Sequence, residues 1–225
     1  MPRRTLQLVQ FLRFLAGACS DRRRTKGSPV KARNRKLAIF SLTLLMLAAR
    51  GGAAAADWGV AQLMQSLAQQ HGGKVFFSEK KYIALLDRPV ESSGELVYQP
   101  PARLEKRTLK PNAESLVLDR DVLVVERGKQ KYTLQLSQYS EITTIVGSIR
   151  NTLAGDLESL QRQYRVDLQG SPERWSLTLL PSDARIAVVV QRILISGTRD
   201  EVRQVEMLLA DGDRSVMQIH RDGPP

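Results

Sequence analysis

The sequence predicts an α+β fold, an antiparallel sheet of short two-faced strands with two apolar helices laid against it. Three observations lead there. Between residues 74 and 136 β-type runs follow one another, and their apolar residues alternate: Leu116 with Leu118, Leu123 with Val125, and Tyr132 with Leu134 and Leu136. The separators are short and of the hairpin kind: Arg88-Pro89, Pro100-Pro101, Lys110-Pro111-Asn112, Asp119-Arg120-Asp121 and Arg127-Gly128-Lys129. Parallel strands would need crossovers of roughly a dozen residues or more, so an antiparallel meander is the economical arrangement. Two further segments carry helical spacing, 58–71 through Val60, Leu63, Met64 and Leu67, and 141–153 through Ile142, Ile145, Val146 and Ile149.

Taken in order, the chain opens with a leader over 1–56. Residues 31–36 (KARNRK) are basic, residues 37–49 (LAIFSLTLLMLAA) form an apolar run of 13, and residues 50–56 end in small side chains. That is the three-part pattern of a secretory signal peptide, with Ala54 and Ala56 placing cleavage before Asp57. A run of 13 falls short of a membrane span, which needs about 20 residues. Arg33-Asn34-Arg35 is not a twin arginine, so export is expected by the general route in the unfolded state. Residues 1–30 read as an upstream extension; Leu15 to Cys19 only loosely resembles a lipid-attachment box. Cys19 is the sole cysteine, so a domain over 57–225 needs no disulfide.

That single domain starts with a helix over 58–71, capped by Asp57 and ended by Gly72-Gly73. The meander follows, then the second helix at 141–153, where Gly147 and the β-branched residues lower helix propensity. A short helical turn at 156–163 leads to strands at 164–168 and 174–180. Residues 184–191 fit helix or strand, and 192–196, 202–209 and 215–220 close the sheet, with Asp211-Gly212-Asp213 as a hairpin turn.

Charge excludes one class of partner. The net charge of +11 is concentrated in the leader, because residues 1–56 hold 12 of the 34 Lys and Arg and one of the 23 acids. The remainder has 22 of each and no steering field for nucleic acid. Chemistry is equally sparse: His71 and His220 lack a recognisable triad motif, no cluster at metal-ligand spacing is present, and no glycine-rich phosphate loop opens a helix. No catalytic residue and no cofactor is expected.

A resemblance narrows the function. The segments Gly94 to Pro101 (GELVYQPP), Arg103-Leu104 and 111–125 (PNAESLVLDRDVLVV), with Phe77-Ser78-Glu79-Lys80 before them, resemble the outer-membrane lipoprotein carrier family, LolA-like proteins of the bacterial periplasm. The resemblance implies a half-open antiparallel β-barrel of about ten to eleven strands, whose apolar face binds acyl chains under a lid of helices. It implies a cavity lined by Leu63, Met64 and Leu67 and by Ile142, Ile145 and Ile149 from the lid. From the sheet it implies Phe77, Leu96, Tyr98, Leu104, Leu116, Leu118, Tyr132, Leu134 and Leu136. It also implies a monomer in the periplasm that takes acylated cargo, a lipoprotein, glycolipid or other lipid, from an inner-membrane donor complex to an outer-membrane acceptor. Two departures mark a divergent branch. Pro100 stands where family members commonly carry a lid-latching arginine, and Val97 and Lys106 stand at positions of early-sheet tryptophans. A sensor or adaptor module of the same fold that binds a partner protein is the alternative reading. Periodicity does not separate lid from plain core for the two helical stripes, because a lid over an acyl cavity has the same spacing as a core helix.

Overall fold

The computed structural model describes residues 58–221 and Gly223, so the expected leader, its cleavage site and the Asp57 cap lie outside the described residues. The elements run α1 (Val60–Ala68), β1 (Gly73–Tyr82), β2 (Val90–Gln99), β3 (Arg103–Lys110), β4 (Glu114–Asp119), β5 (Val122–Arg127) and β6 (Gln130–Gln135). After a 3-10 turn (Leu136–Gln138) come α2 (Ser140–Leu153), α3 (Leu157–Gln163), β7 (Tyr164–Ser171), β8 (Arg174–Pro181), α4 (Ala184–Ala187), β9 (Val190–Thr198), β10 (Glu201–Leu209) and β11 (Arg214–His220).

All eleven strands join one sheet in the order β6-β5-β4-β3-β2-β1-β11-β10-β9-β8-β7. Two antiparallel meanders, β1–β6 and β7–β11, are therefore sewn together where β1 pairs with β11, Phe77 lying opposite Ile219 on one side and Gly94 on the other. The first and last strands become the middle of the sheet. β6 and β7 are left as its edges, so the sheet stays open, as the half-open architecture requires.

The helices are local solutions to capping and burial. In α1 the Gly59 N–H donates to Gln62 Oε1 at 3.1 Å, and Leu63, Met64 and Leu67 are buried. This helix is shorter than the 58–71 expected. At Gly72 the backbone takes φ 78°, and a Cβ there would lie 2.4 Å from the Tyr98 carbonyl oxygen, so the chain has turned toward β1 before residue 71 can be helical. In α2 the polar residues that depress propensity bond to their own helix: Thr144 Oγ1 donates to Ser140 O at 2.9 Å, Ser148 Oγ to Ile145 O at 2.6 Å and Thr152 Oγ1 to Ser148 O at 2.7 Å. Asp156 caps α3 by accepting from Ser159 N at 2.9 Å. The ambiguous 184–191 segment divides into one helical turn, α4, and the start of β9.

The core lies between the helices and one face of the sheet. Leu63, Met64, Leu160 and Ile186 from the helices meet Tyr164, Trp175, Leu177, Leu179, Ile193 and Ile195 from β7, β8 and β9. The helices approach β7, β8 and β9 closely and stand further off from β1–β5. A space opens there.

Candidate functional site

That space is a cavity of about 800 Å³. Leu67 of α1 and Ile142, Ile145, Val146 and Ile149 of α2 form its roof, and its floor runs from β5 through β1 to β9. Of the residues expected in an acyl cavity, Leu67, Leu96, Tyr98, Leu104, Leu116, Leu118, Ile142, Ile145 and Ile149 line it. The other six do not. Leu63 and Met64 are core residues one turn away on α1, Leu136 is buried in the 3-10 turn, and Leu134 packs on the rim of the core. Tyr132 is 41% exposed on edge strand β6. Phe77 is fully buried beneath the Lys106 ammonium, which sits 4.8 Å from its ring centroid.

The second meander supplies a wall that sequence reasoning missed: Val202, Val205, Met207 and Leu209 of β10, with Met217 and Ile219 of β11. Their alternation was visible in the sequence. Their pairing beside β1 was not, because β1 and β11 are separated by nearly the whole domain.

One end of the cavity is charged. Glu79, 5% exposed, lies within 2.5 Å of Lys106 Nζ and 3.8 Å of Lys81 Nζ, and it accepts from Ser215 Oγ at 2.6 Å and Ser92 Oγ at 3.3 Å. Burial alone would raise the Glu79 pKa, but Lys106 and Lys81 together hold it down at about 2. Burial likewise pushes the Lys81 ammonium below its ordinary value, against the pull of Glu79. Glu79 was legible only as part of an aromatic-polar strand. Strand alternation puts it on the same face as Phe77, and a charge on an apolar face is the signal that was available.

Among the described residues, hydrogen bonds tie the helices to the sheet at several points, Tyr164 of β7 donating from its hydroxyl to the Thr144 carbonyl of α2 at 3.2 Å. Arg150 at the end of α2 donates from Nη1 to the Arg120 carbonyl at 3.0 Å, and Gln70 after α1 bonds Asp200 in the β9–β10 turn. On the opposite face of β1, Ser78 Oγ and His220 Nε2 are 3.2 Å apart, so His220 has a hydroxyl partner that its sequence context did not reveal. Among the described residues no carboxylate is hydrogen-bonded to that imidazole, and the pair faces away from Glu79 and Phe77. Among the described residues no group of three His, Cys, Asp or Glu is arranged to hold a metal ion, and no helix is long and apolar enough to cross a membrane.

The outer membrane lipoprotein carrier protein LolA-like family matches residues 51–219, most of the chain. The chain belongs to that family. Similar solved structures include a LolA superfamily protein from Nitrosomonas europaea, 11% identical, spanning 72% of this chain and 93% of that one at a TM-score of 0.37. The MucA/MucB complex of Pseudomonas aeruginosa is 13% identical over 74% of this chain and 58% of that one, at 0.39. LprF from Mycobacterium bovis is 12% identical over 74% and 93%, at 0.33. No curated protein matches. Within this LolA-like chain the positions that depart from the expected pattern fall around the cavity: Val97 and Lys106 line it, and Pro100 lies against Gly72 at the α1–β1 turn.

Proposed function

We propose that the chain is a non-enzymatic periplasmic carrier that shelters acyl chains of a lipoprotein or other lipid between α1, α2 and the sheet. The observation that supports this most is the 800 Å³ cavity with aliphatic side chains on both roof and floor. Burying ten methylenes there contributes about 8 kcal/mol, roughly micromolar affinity before the cost of ordering the chain is subtracted. That magnitude permits handover. A carrier that bound every methylene of several chains without such losses would not release its cargo on a useful timescale.

The leader pattern at 31–56 supports export, and the family supports a route from an inner-membrane donor to an outer-membrane acceptor. Release needs the roof to lift, and the Arg150, Gln70 and Tyr164 contacts are among those it must break. Native mass spectrometry of protein recovered from the periplasm tests the reading. The expected result is a species lacking residues 1–56 and carrying a lipid extractable by organic solvent. An empty chain co-purifying with a partner protein would instead favour the adaptor role.

A further inference from the structure

The charged end of the cavity has no part in sheltering acyl chains. Lys81 and Lys106 come from β1 and β3 and converge on one carboxylate, that of Glu79, at 3.8 and 2.5 Å. Ser92 Oγ and Ser215 Oγ, from β2 and β11, donate to the same group at 3.3 and 2.6 Å. Glu79 is 5% exposed while each lysine side chain keeps 23%, and Glu79, Lys81, Lys106 and Ser215 line the cavity. Lys106 is fixed from two sides, by Glu79 and by the Phe77 ring at 4.8 Å. Farther along, Glu114 is paired with Arg127, and at the rim Arg214 stacks on Tyr82 at 4.6 Å while the Asp213 carboxylate accepts from Ala84 N at 2.9 Å.

A buried ion pair is rarely worth its desolvation as a source of stability alone, and a well-packed apolar replacement is often as good. Here two ammoniums and two hydroxyls surround one carboxylate at the wall of a cavity whose remainder is largely apolar. The donor capacity of Lys106 exceeds what Glu79 uses, since its ammonium has three N–H groups and Glu79 takes one.

We infer that this end is a headgroup subsite, in which the phosphate of an acylated ligand accepts from Lys81 and Lys106 while its chains fill the apolar part. The inference rests on the carrier reading and adds a chemical class of cargo to it. Glu79 keeps the two ammoniums apart and in place when the cavity is empty, and a phosphate adds a second anion for them to share.

The test compares monooleoyl lysophosphatidic acid with monoolein, which carry the same acylglycerol with and without phosphate, on the delipidated exported chain. The phosphate ester should bind roughly tenfold more tightly. The Glu79→Gln/Lys81→Met/Lys106→Met triple variant, which removes the carboxylate and both ammoniums together, should bind both lipids alike, and Lys106→Arg should keep the preference. Lys81→Met removes one ammonium and keeps the Lys106–Glu79 pair; it should lower the preference a few-fold even if the triple variant fails to fold. Equal affinity of the wild type for both lipids overturns the headgroup subsite and leaves the carrier reading standing. Binding of neither lipid overturns both. Inorganic phosphate that binds as tightly as the lipid phosphate overturns the headgroup assignment in favour of a free-anion site.

Discussion

Strands β7–β9 and strands β1–β5 present the helices with the same period-two apolar pattern, yet the first set is filled and the second is hollow. On the filled side Trp175, Leu177, Leu179, Ile193 and Ile195 are at most 1% exposed, and neither β7 nor β8 contributes to the cavity. On the hollow side Leu96, Leu104 and Leu116 are only partly covered, although their side chains are no smaller. The difference lies in backbone spacing. α3 and α4 sit close on β7, β8 and β9, whereas α1 and α2 stand further from β1–β5, where Leu118, Leu123 and Val125 still reach the core but Leu96, Leu104 and Leu116 border the cavity. Similar residues thus make a core where the layers touch and a cavity where they separate.

The largest effect should come from the filled side. Leu177→Ala removes a fully buried side chain from a packed region and should cost about 3 kcal/mol in chemical denaturation. A loss below about 1 kcal/mol would mean that this region is as loose as the other.

Acid should act on the hollow side. Glu79 has a folded pKa of about 2 against an ordinary 4.5, so its ionised form is favoured by folding. The resulting stability is fully present above pH 4.5 and fades as pH falls from 4.5 toward 2, an effect on the order of 2 kcal/mol. Urea midpoints measured across that window should drop in the wild type and change less in Glu79→Gln. Parallel slopes in the two proteins would remove Glu79 from the account.

Smallest in stability, but decisive for binding, is Ile149→Glu. Ile149 lines the roof, is only partly buried and packs on the edge of the core, so the carboxylate faces the cavity on its open side. The melt should shift by less than about 1 kcal/mol while displacement of a fluorescent fatty acid is lost. A collapse of the melt would make the roof an ordinary core.

Much of this fold was legible in the sequence because it is encoded locally. Hairpin separators such as Asp119-Arg120-Asp121 and Arg127-Gly128-Lys129 sit where β4, β5 and β6 turn, with Arg120 and Gly128 at positive φ. The β1–β11 pairing was not, since no local pattern names a partner so distant. The candidate site was legible by half for a related reason. Leu63 and Leu67 share a helix face and are both buried in the core, yet only Leu67 also borders the cavity, a distinction set by what lies opposite. Tyr132 and Leu134 obey the strand period and still miss the cavity, because β6 is an edge strand.

The central claim is that the hollow side holds acyl chains by burying their methylenes, and a chain-length series tests it most directly. Saturated fatty acids lengthened two carbons at a time, titrated against a fluorescent acyl probe, should gain about 0.8 kcal/mol per methylene, roughly fourfold in affinity, until the cavity is full. Beyond that length the affinity should level off. Affinity that is independent of chain length, or absent at every length, would contradict the account.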